Sequence, residues 1–277
     1  MSRNSVLEGS SSGVQAIRET QEHILDVALR LMQMGGYHAF SYADVAAEVG
    51  ITKASVHYHY PAKADLGRAT LRYYRSWWQE QMRGLTAAPR RTPRGISGAD
   101  TPGVDKSRAG VPETGKSEAE AREPSAEARL RGYSRVYRDI LRSGRVCLVF
   151  ALAPESLLLP ESMQAELRDF YAEHQDWLVG VLQEGRETGT FTAPGPLHVQ
   201  AQALISALHG AQGLARVQGD VYRYCAVAHL TLSGLGLPFT DLEISDPATF
   251  EAQSRETQNR ETQSPAPELS EPGLAFA

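Results

Sequence analysis

Apolar residues recur every three or four positions through most of this chain, the period of amphipathic helices and not of strands. Ile24, Leu25, Ala28, Leu31 and Met32 outline a first helix that stops at Gly35-Gly36. Residues 41–63, SYADVAAEVGITKASVHYHYPAK, then predict two short helices around a glycine-centred turn. Ser41 can cap the first of these, with Asp44 three residues on favouring the positive helix end. Val45, Ala46 and Val49 form its inward face. Gly50 ends it in the left-handed conformation that glycine adopts without steric cost. Thr52 caps the second helix, Val56 and Tyr60 anchor it, and Pro61 ends it. Lys63-Ala64-Asp65-Leu66 opens a longer helix that runs to about residue 82.

The same period continues further on. Leu130, Tyr133, Val136, Tyr137, Ile140 and Leu141 mark a helix closing at Gly144. A short apolar helix over 146–153 is interrupted by Pro154, and Met163, Leu167, Phe170, His174, Trp177, Leu178 and Val181 mark a long amphipathic one. Residues 197–217 and 220–235 predict two more, in which Ala207, Gly210, Ala211 and Gly213 permit close helix packing. The fold class expected is all-α: a three-helix helix-turn-helix head over 16–63, joined to a larger helical body over 64–245. Residues 1–15, 86–125 and 246–277 are polar and poor in large apolar side chains. They cannot bury enough surface to offset their ordering entropy, so they are expected to be an unstructured N-terminus, insertion and tail.

Composition adjusts this picture only slightly. A chain of 277 residues holds a small head and one larger domain. The formal charge of −5 argues against a wholly basic surface, but DNA binding needs only a local patch, which Lys53, Lys63 and Arg68 can supply. Two cysteines, Cys147 and Cys225, do not make a disulfide framework, so a reducing cytoplasm is the expected location. No signal peptide is evident at the start, and the apolar run over 146–153 is too short to span a bilayer, so no membrane partner is expected.

A helix-turn-helix sets its second helix into the DNA major groove. Thr52, Lys53, Ser55, Tyr58 and His59 are the candidates for the groove-facing surface, and Ser41, Tyr42, His57 and Lys63 for holding phosphates. The surrounding pattern resembles the TetR family of one-component regulators. It has Gly36 closing the first helix, Asp44-Val45-Ala46 in the second, Gly50-Ile51-Thr52 in the turn, and Lys63-Ala64-Asp65-Leu66 after the third. The match is close over 17–66 and holds only in pattern beyond. Two positions depart from the family: His57 stands where a Tyr is usual after the inward aliphatic residue, and Tyr60 where a Phe is usual. The resemblance implies a ligand-responsive transcriptional regulator, most often a repressor, that binds a palindromic operator in double-stranded DNA as a homodimer. It places the dimer interface in the last two helices, as a four-helix bundle from two subunits, and puts an unidentified small-molecule effector in the body. No cofactor is implied.

Candidate effector-lining residues are the large or polar side chains of the inner helices: Trp77, Phe150, Phe170, Tyr171, His174, Trp177 and His209. Cys147-Leu148-Val149, ahead of Ala-Pro-Glu, is similar to a segment of electrophile-sensing TetR members, although Val146 replaces the usual Gly. Cys147 is therefore a candidate thiol sensor, aided by Arg145 and a helix amino end near Gly144. The competing reading is an inert packing cysteine, as Cys225 is taken to be. His57 and His59 lie two apart on a helix and cannot share a metal, so no metal site is expected. With no phosphate loop, nucleophile elbow or zinc-type cluster in the sequence, an enzyme is not expected. The alternative function is a helical protein-interaction module whose helix-turn-helix does not touch DNA.

Overall fold

The computed structural model of the chain describes residues 5–87 and 123–237, and within them all regular structure is helical. The head comprises α1 (Ser5–Gly35), α2 (Tyr42–Val49) and α3 (Lys53–His59), and α4 (Lys63–Thr86) leads into the body. There follow α5 (Ala126–Arg142), α6 (Leu148–Leu152), a 3-10 segment (Ala153–Leu158), α7 (Glu161–Glu187), α8 (Leu197–Gln218) and α9 (Val221–Ser233). α4 packs on α1, α5 and α7, and α8 lies between α7 and α9.

One expectation needs adjustment. The first helix begins at Ser5, where an unstructured N-terminus was expected through residue 15. Once its packed part around Ile24 and Ala28 is nucleated, extension costs little, and no proline lies upstream to stop it. Pro154 ends the short apolar helix as expected, with α6 closing at Leu152 and the chain continuing as the 3-10 segment. It sits in the first turn of the 3-10 segment, where its missing N–H has no intrahelical partner to lose. The insertion expected over 86–125 and the tail over 246–277 fall mostly and wholly outside the described residues; α4 ends at Thr86 and α5 begins at Ala126.

The core of the body is aromatic. Trp78 of α4 is fully buried and meets Tyr137 at 4.9 Å, Tyr133 at 5.6 Å and His174 at 4.9 Å between ring centroids. Phe170 stacks on His174 at 3.8 Å. Beside this core, α4 and α7 are joined by ions: Arg75 reaches Glu166, Asp169 and Glu173, and Arg72 also reaches Glu166. Among the described residues no helix is long and apolar enough to cross a membrane.

Candidate nucleic-acid interface

Short helices need their ends satisfied, and α2 and α3 both are. The Ser41 amide and hydroxyl donate to Asp44 Oδ2 at 2.6 and 2.8 Å, and the Asp44 amide returns to Ser41 Oγ at 3.4 Å. These bonds hold the Asp44 carboxyl below the usual carboxylate range. At the other end, Gly50 has φ +76° and donates its N–H to the Ala46 carbonyl at 3.0 Å. A Cβ there would meet no atom within 4 Å, so the glycine is required by backbone conformation alone. Thr52 Oγ1 caps α3 by accepting the Ser55 amide at 3.1 Å, and its hydroxyl lies 2.9 Å from that of Ser55. Val56, fully buried, is the side chain by which α3 docks on the head.

The residues expected to read bases lie on an accessible helix. Thr52, Lys53 and Tyr58 are exposed, Tyr58 to 78 %, and Ser55 and His59 are half-buried. The phosphate set fares differently. Tyr42 is buried, and its hydroxyl donates to the Tyr60 carbonyl at 2.7 Å. Burial, then Asp65, pushes its pKa up to about 12. It ties α2 to the end of α3 and has no free face for DNA, because the first residue of α2 turns inward beneath α3.

Ser41 stays exposed, although its hydroxyl proton is engaged by Asp44. His57 is exposed and rests on the Tyr42 ring at 4.5 Å, with Nδ1 3.3 Å from the Pro61 carbonyl. Since a carbonyl only accepts, Nδ1 carries the proton in that contact. Nε2 can then donate to a phosphate only if the ring is doubly protonated. Lys63 is half-buried, with Nζ on the Phe40 carbonyl and 4.8 and 4.5 Å above the Tyr37 and Phe40 rings. Desolvation lowers its pKa. Its ammonium fastens the α1–α2 loop to α4, a role the sequence pattern did not signal.

With this geometry in place, the comparisons are direct. Residues 24–70 match the profile of the bacterial regulatory proteins, tetR family. The HTH-type transcriptional regulator AcrR of Shigella flexneri is 40% identical over 52 residues, which is 19% of this chain and 24% of that protein. A TetR-family transcriptional regulator structure from Agrobacterium tumefaciens superposes with a TM-score of 0.63 at 26% identity, covering 79% of this chain and 98% of that one.

Residues 24–70 form a TetR-family helix-turn-helix head. A second TetR structure, from Legionella pneumophila, agrees at a TM-score of 0.58 and 25% identity, over 77% of this chain and 96% of that one. The curated match covers the helix-turn-helix and about a quarter of AcrR's length; it is the solved TetR structures that extend the likeness through the helical body.

Within the helical body, the residues expected to line an effector site divide. Phe170, His174 and His209 belong to the buried aromatic layer, while Phe150, Tyr171 and Trp177 are half-buried at its edges. Trp77 is 38% exposed and stacks on Tyr74 from outside. An open groove of about 250 Å³ runs over Val149, Ala153, Leu157, Leu167, Arg168 and Tyr171. Of the expected residues, Tyr171 lines it.

Of the two aids expected to activate Cys147, the cation is directed elsewhere and the helix amino end is too weak. Arg145 points to Ser143 and Gln33, and the five-residue α6 that begins after Cys147 does not outweigh complete burial. Burial raises the thiol pKa, and only partly do the Tyr74 side chain and the α6 amides oppose it. Cys225 is half-buried. In the native protein a soluble disulfide reagent is therefore expected to label Cys225 first, with Cys147 reacting on the timescale of unfolding. Thiol counting on C225S and C147S proteins checks this; rapid labelling of C225S would restore Cys147 as a sensor.

Two contacts between head and body had no local signal in the sequence. Glu155 of the 3-10 segment accepts the Tyr37 amide and lies 3.7 Å from His38 Nε2. Gly36, at φ +84°, leaves it room, since a Cβ there would stand 2.7 Å from Glu155 Oε1. On the other side, Arg216 of α8 donates to the Gln33 and Met34 carbonyls at 3.0 and 2.7 Å, satisfying the end of α1.

Proposed function

We propose that this TetR-family regulator binds a palindromic operator in double-stranded DNA as a homodimer, acts as a repressor, and releases DNA when a small molecule enters its body. The observation that carries the reading is α3 itself. This helix of seven residues is capped at Thr52, anchored by Val56, and presents Lys53, His57 and Tyr58 to solvent. One such helix reads few base pairs, and two-fold symmetry doubles the contacts.

A face for the second subunit is available. Leu214 and Val217 of α8 and Tyr222 and Leu230 of α9 are exposed, Leu230 to 72 %. Placing a second copy over this face would remove it from water. Replacing Leu230 with glutamate is expected to yield a folded monomer whose operator affinity falls on the order of 100-fold through lost avidity. Sedimentation and titration of a single operator duplex check it; a dimer at micromolar concentration would place the interface elsewhere.

Effector response follows from the two ties at the end of α1. Because α8 holds that end through Arg216 and the 3-10 segment holds the next turn through Glu155, a ligand that shifts either element biases the head. Linkage then requires DNA to oppose that ligand by the same free energy. The buried Cys147 favours a reversibly bound effector over an electrophile.

Selection of randomised duplex DNA by the purified protein, followed by affinity against salt, tests the reading. An enriched palindrome with steep salt dependence supports it, and K53A and Y58A should then shift or weaken the selected sequence. Absence of enrichment, with weak binding insensitive to salt, would make the protein an interaction module.

A further inference from the structure

At His57 a single proton decides what the reading helix offers to DNA. Its Nδ1 lies 3.3 Å from the Pro61 carbonyl, which only accepts, so the neutral ring places its one N–H there. Nε2 is then left with a lone pair on an exposed side chain. A phosphate oxygen also presents lone pairs, and the two repel. Adding a proton turns Nε2 into a donor and gives the ring a positive charge. The same atom therefore opposes or holds a phosphate according to the protonation of the ring.

The surroundings favour the charged form. His57 shares an exposed face of α3 with Lys53, one turn earlier, while Val56 faces inward. It lies in the last turn of the helix, where the backbone dipole favours a cation. Its ring rests on that of Tyr42 at 4.5 Å between centroids, and a positive imidazole is attracted to an aromatic face.

The charged and titratable groups of the neighbouring elements are engaged elsewhere. On α2, Tyr42 donates to the Tyr60 carbonyl, and burial, then Asp65, pushes its pKa up to about 12, so it stays neutral. Asp44 accepts the Ser41 amide and hydroxyl. At the start of α4, Asp65 accepts the Ala62 amide at 3.2 Å, and the Lys63 ammonium is held by the Phe40 carbonyl. Burial raises the Tyr60 pKa, and His59 sits against the Tyr58 ring at 5.3 Å. With both carboxylates capping helices, a DNA phosphate is the anion left for a protonated His57.

We propose that His57 makes operator binding proton-coupled: each head takes up one proton from solvent as it docks, and the ring then donates to the Pro61 carbonyl and to a backbone phosphate through its two N–H groups. The proposal rests on the reading that α3 enters the operator, and adds that solution pH sets the affinity. The sign follows from linkage. Bound DNA favours the charged ring, so affinity is full in mild acid and falls as pH rises through the titration of the bound ring. The added cation also displaces one further counterion per head, so salt dependence steepens at low pH.

The test uses the full-length protein and the selected operator duplex, with affinity measured from pH 6 to pH 8 at fixed ionic strength. Wild type should lose about tenfold per head across this range, the weight of one charge-assisted hydrogen bond. Its slope of log affinity against log salt should be steeper at pH 6 than at pH 8 by about one unit per head. Calorimetry in two buffers of different ionisation enthalpy should register proton uptake on binding. H57F removes both N–H groups and should show, at every pH, the weak affinity that wild type reaches at pH 8. H57Y carries a hydroxyl donor throughout the range, so it should bind independently of pH and more tightly than H57F. H38Q and H59Q should keep the wild-type pH dependence. A flat wild-type profile, or one whose slope survives in H57F and H57Y, would overturn the proposal. A slope lost in H38Q or H59Q instead would assign the proton to another ring and overturn it too. Failure to select any operator would overturn the reading of α3 along with the proposal, whereas an operator complex bound without proton uptake overturns the proposal alone.

Discussion

Replacing Val56 with aspartate is expected to abolish operator binding while leaving the body folded. Val56 is the buried residue of α3 and is fully enclosed. An unpaired carboxylate there would cost several kcal/mol, or about 3 kcal/mol even after water enters, because it would have no partner. A helix of seven residues is far below the length at which one is stable in water, so α3 would not survive undocking as a reading surface. The loss is expected to be confined, since the aromatic body draws its stability from α4, α5, α7 and α8. Circular dichroism should fall only slightly, sedimentation should be unchanged, and operator affinity should drop below detection. Retained sequence-selective binding would show that α3 is not the reader.

Arg75→Ala is expected to have the largest effect on stability among single changes to a charged side chain. Arg75 is three-quarters buried and bridges Glu166 at 3.2 Å, Asp169 at 3.3 Å and Glu173 through Nε at 2.9 Å. Glu166 is itself nearly enclosed, and removing Arg75 leaves it only the more exposed Arg72. Breaking a partly buried network of this kind costs about 2–3 kcal/mol, between the values for surface and fully buried pairs. The pH dependence has a definite sign. Arg75 and Gln79 hydrogen bonds lower the Glu173 pKa from its ordinary 4.5, so this stabilisation is fully present above that value. It is lost as pH falls through the lower folded-state pKa. Denaturant melts of wild type and R75A should differ at neutral pH and converge in acid. A gap independent of pH down to strong acid would assign the loss to packing of the arginine stem instead.

What could be read from the sequence was what is encoded locally. The capping pair Ser41 and Asp44, the left-handed Gly50, the Thr52 cap and the inward Val56 are all set by residues within four positions of one another, and the structure places each in its expected role. Helical periodicity gave the helices after α3 to within a few residues, because a buried stripe repeats along the chain whatever it packs against, but it missed the amino-terminal extension of α1.

Tertiary structure decided the roles of individual polar groups. Tyr42 and Tyr73 are both tyrosines on helices, yet one is buried against Tyr60 and the other bonds Asp26 of α1. Lys63, a phosphate-holding candidate by its place after α3, has the Phe40 carbonyl and two rings beneath its ammonium in the folded protein. Cys147 carried a sensor-like segment, but its reactivity depends on solvent access, which α4 and α8 remove. The Glu155 tie to the head, 118 residues distant, and the unsatisfied His174 and Trp78 nitrogens had no local signature. The sequence by itself determined the helices, their caps and the recognition motif, because those depend on neighbours three or four residues away. Only the packed structure decided which side chains are spent on the fold, since hydrogen bonding and desolvation depend on partners far apart along the chain.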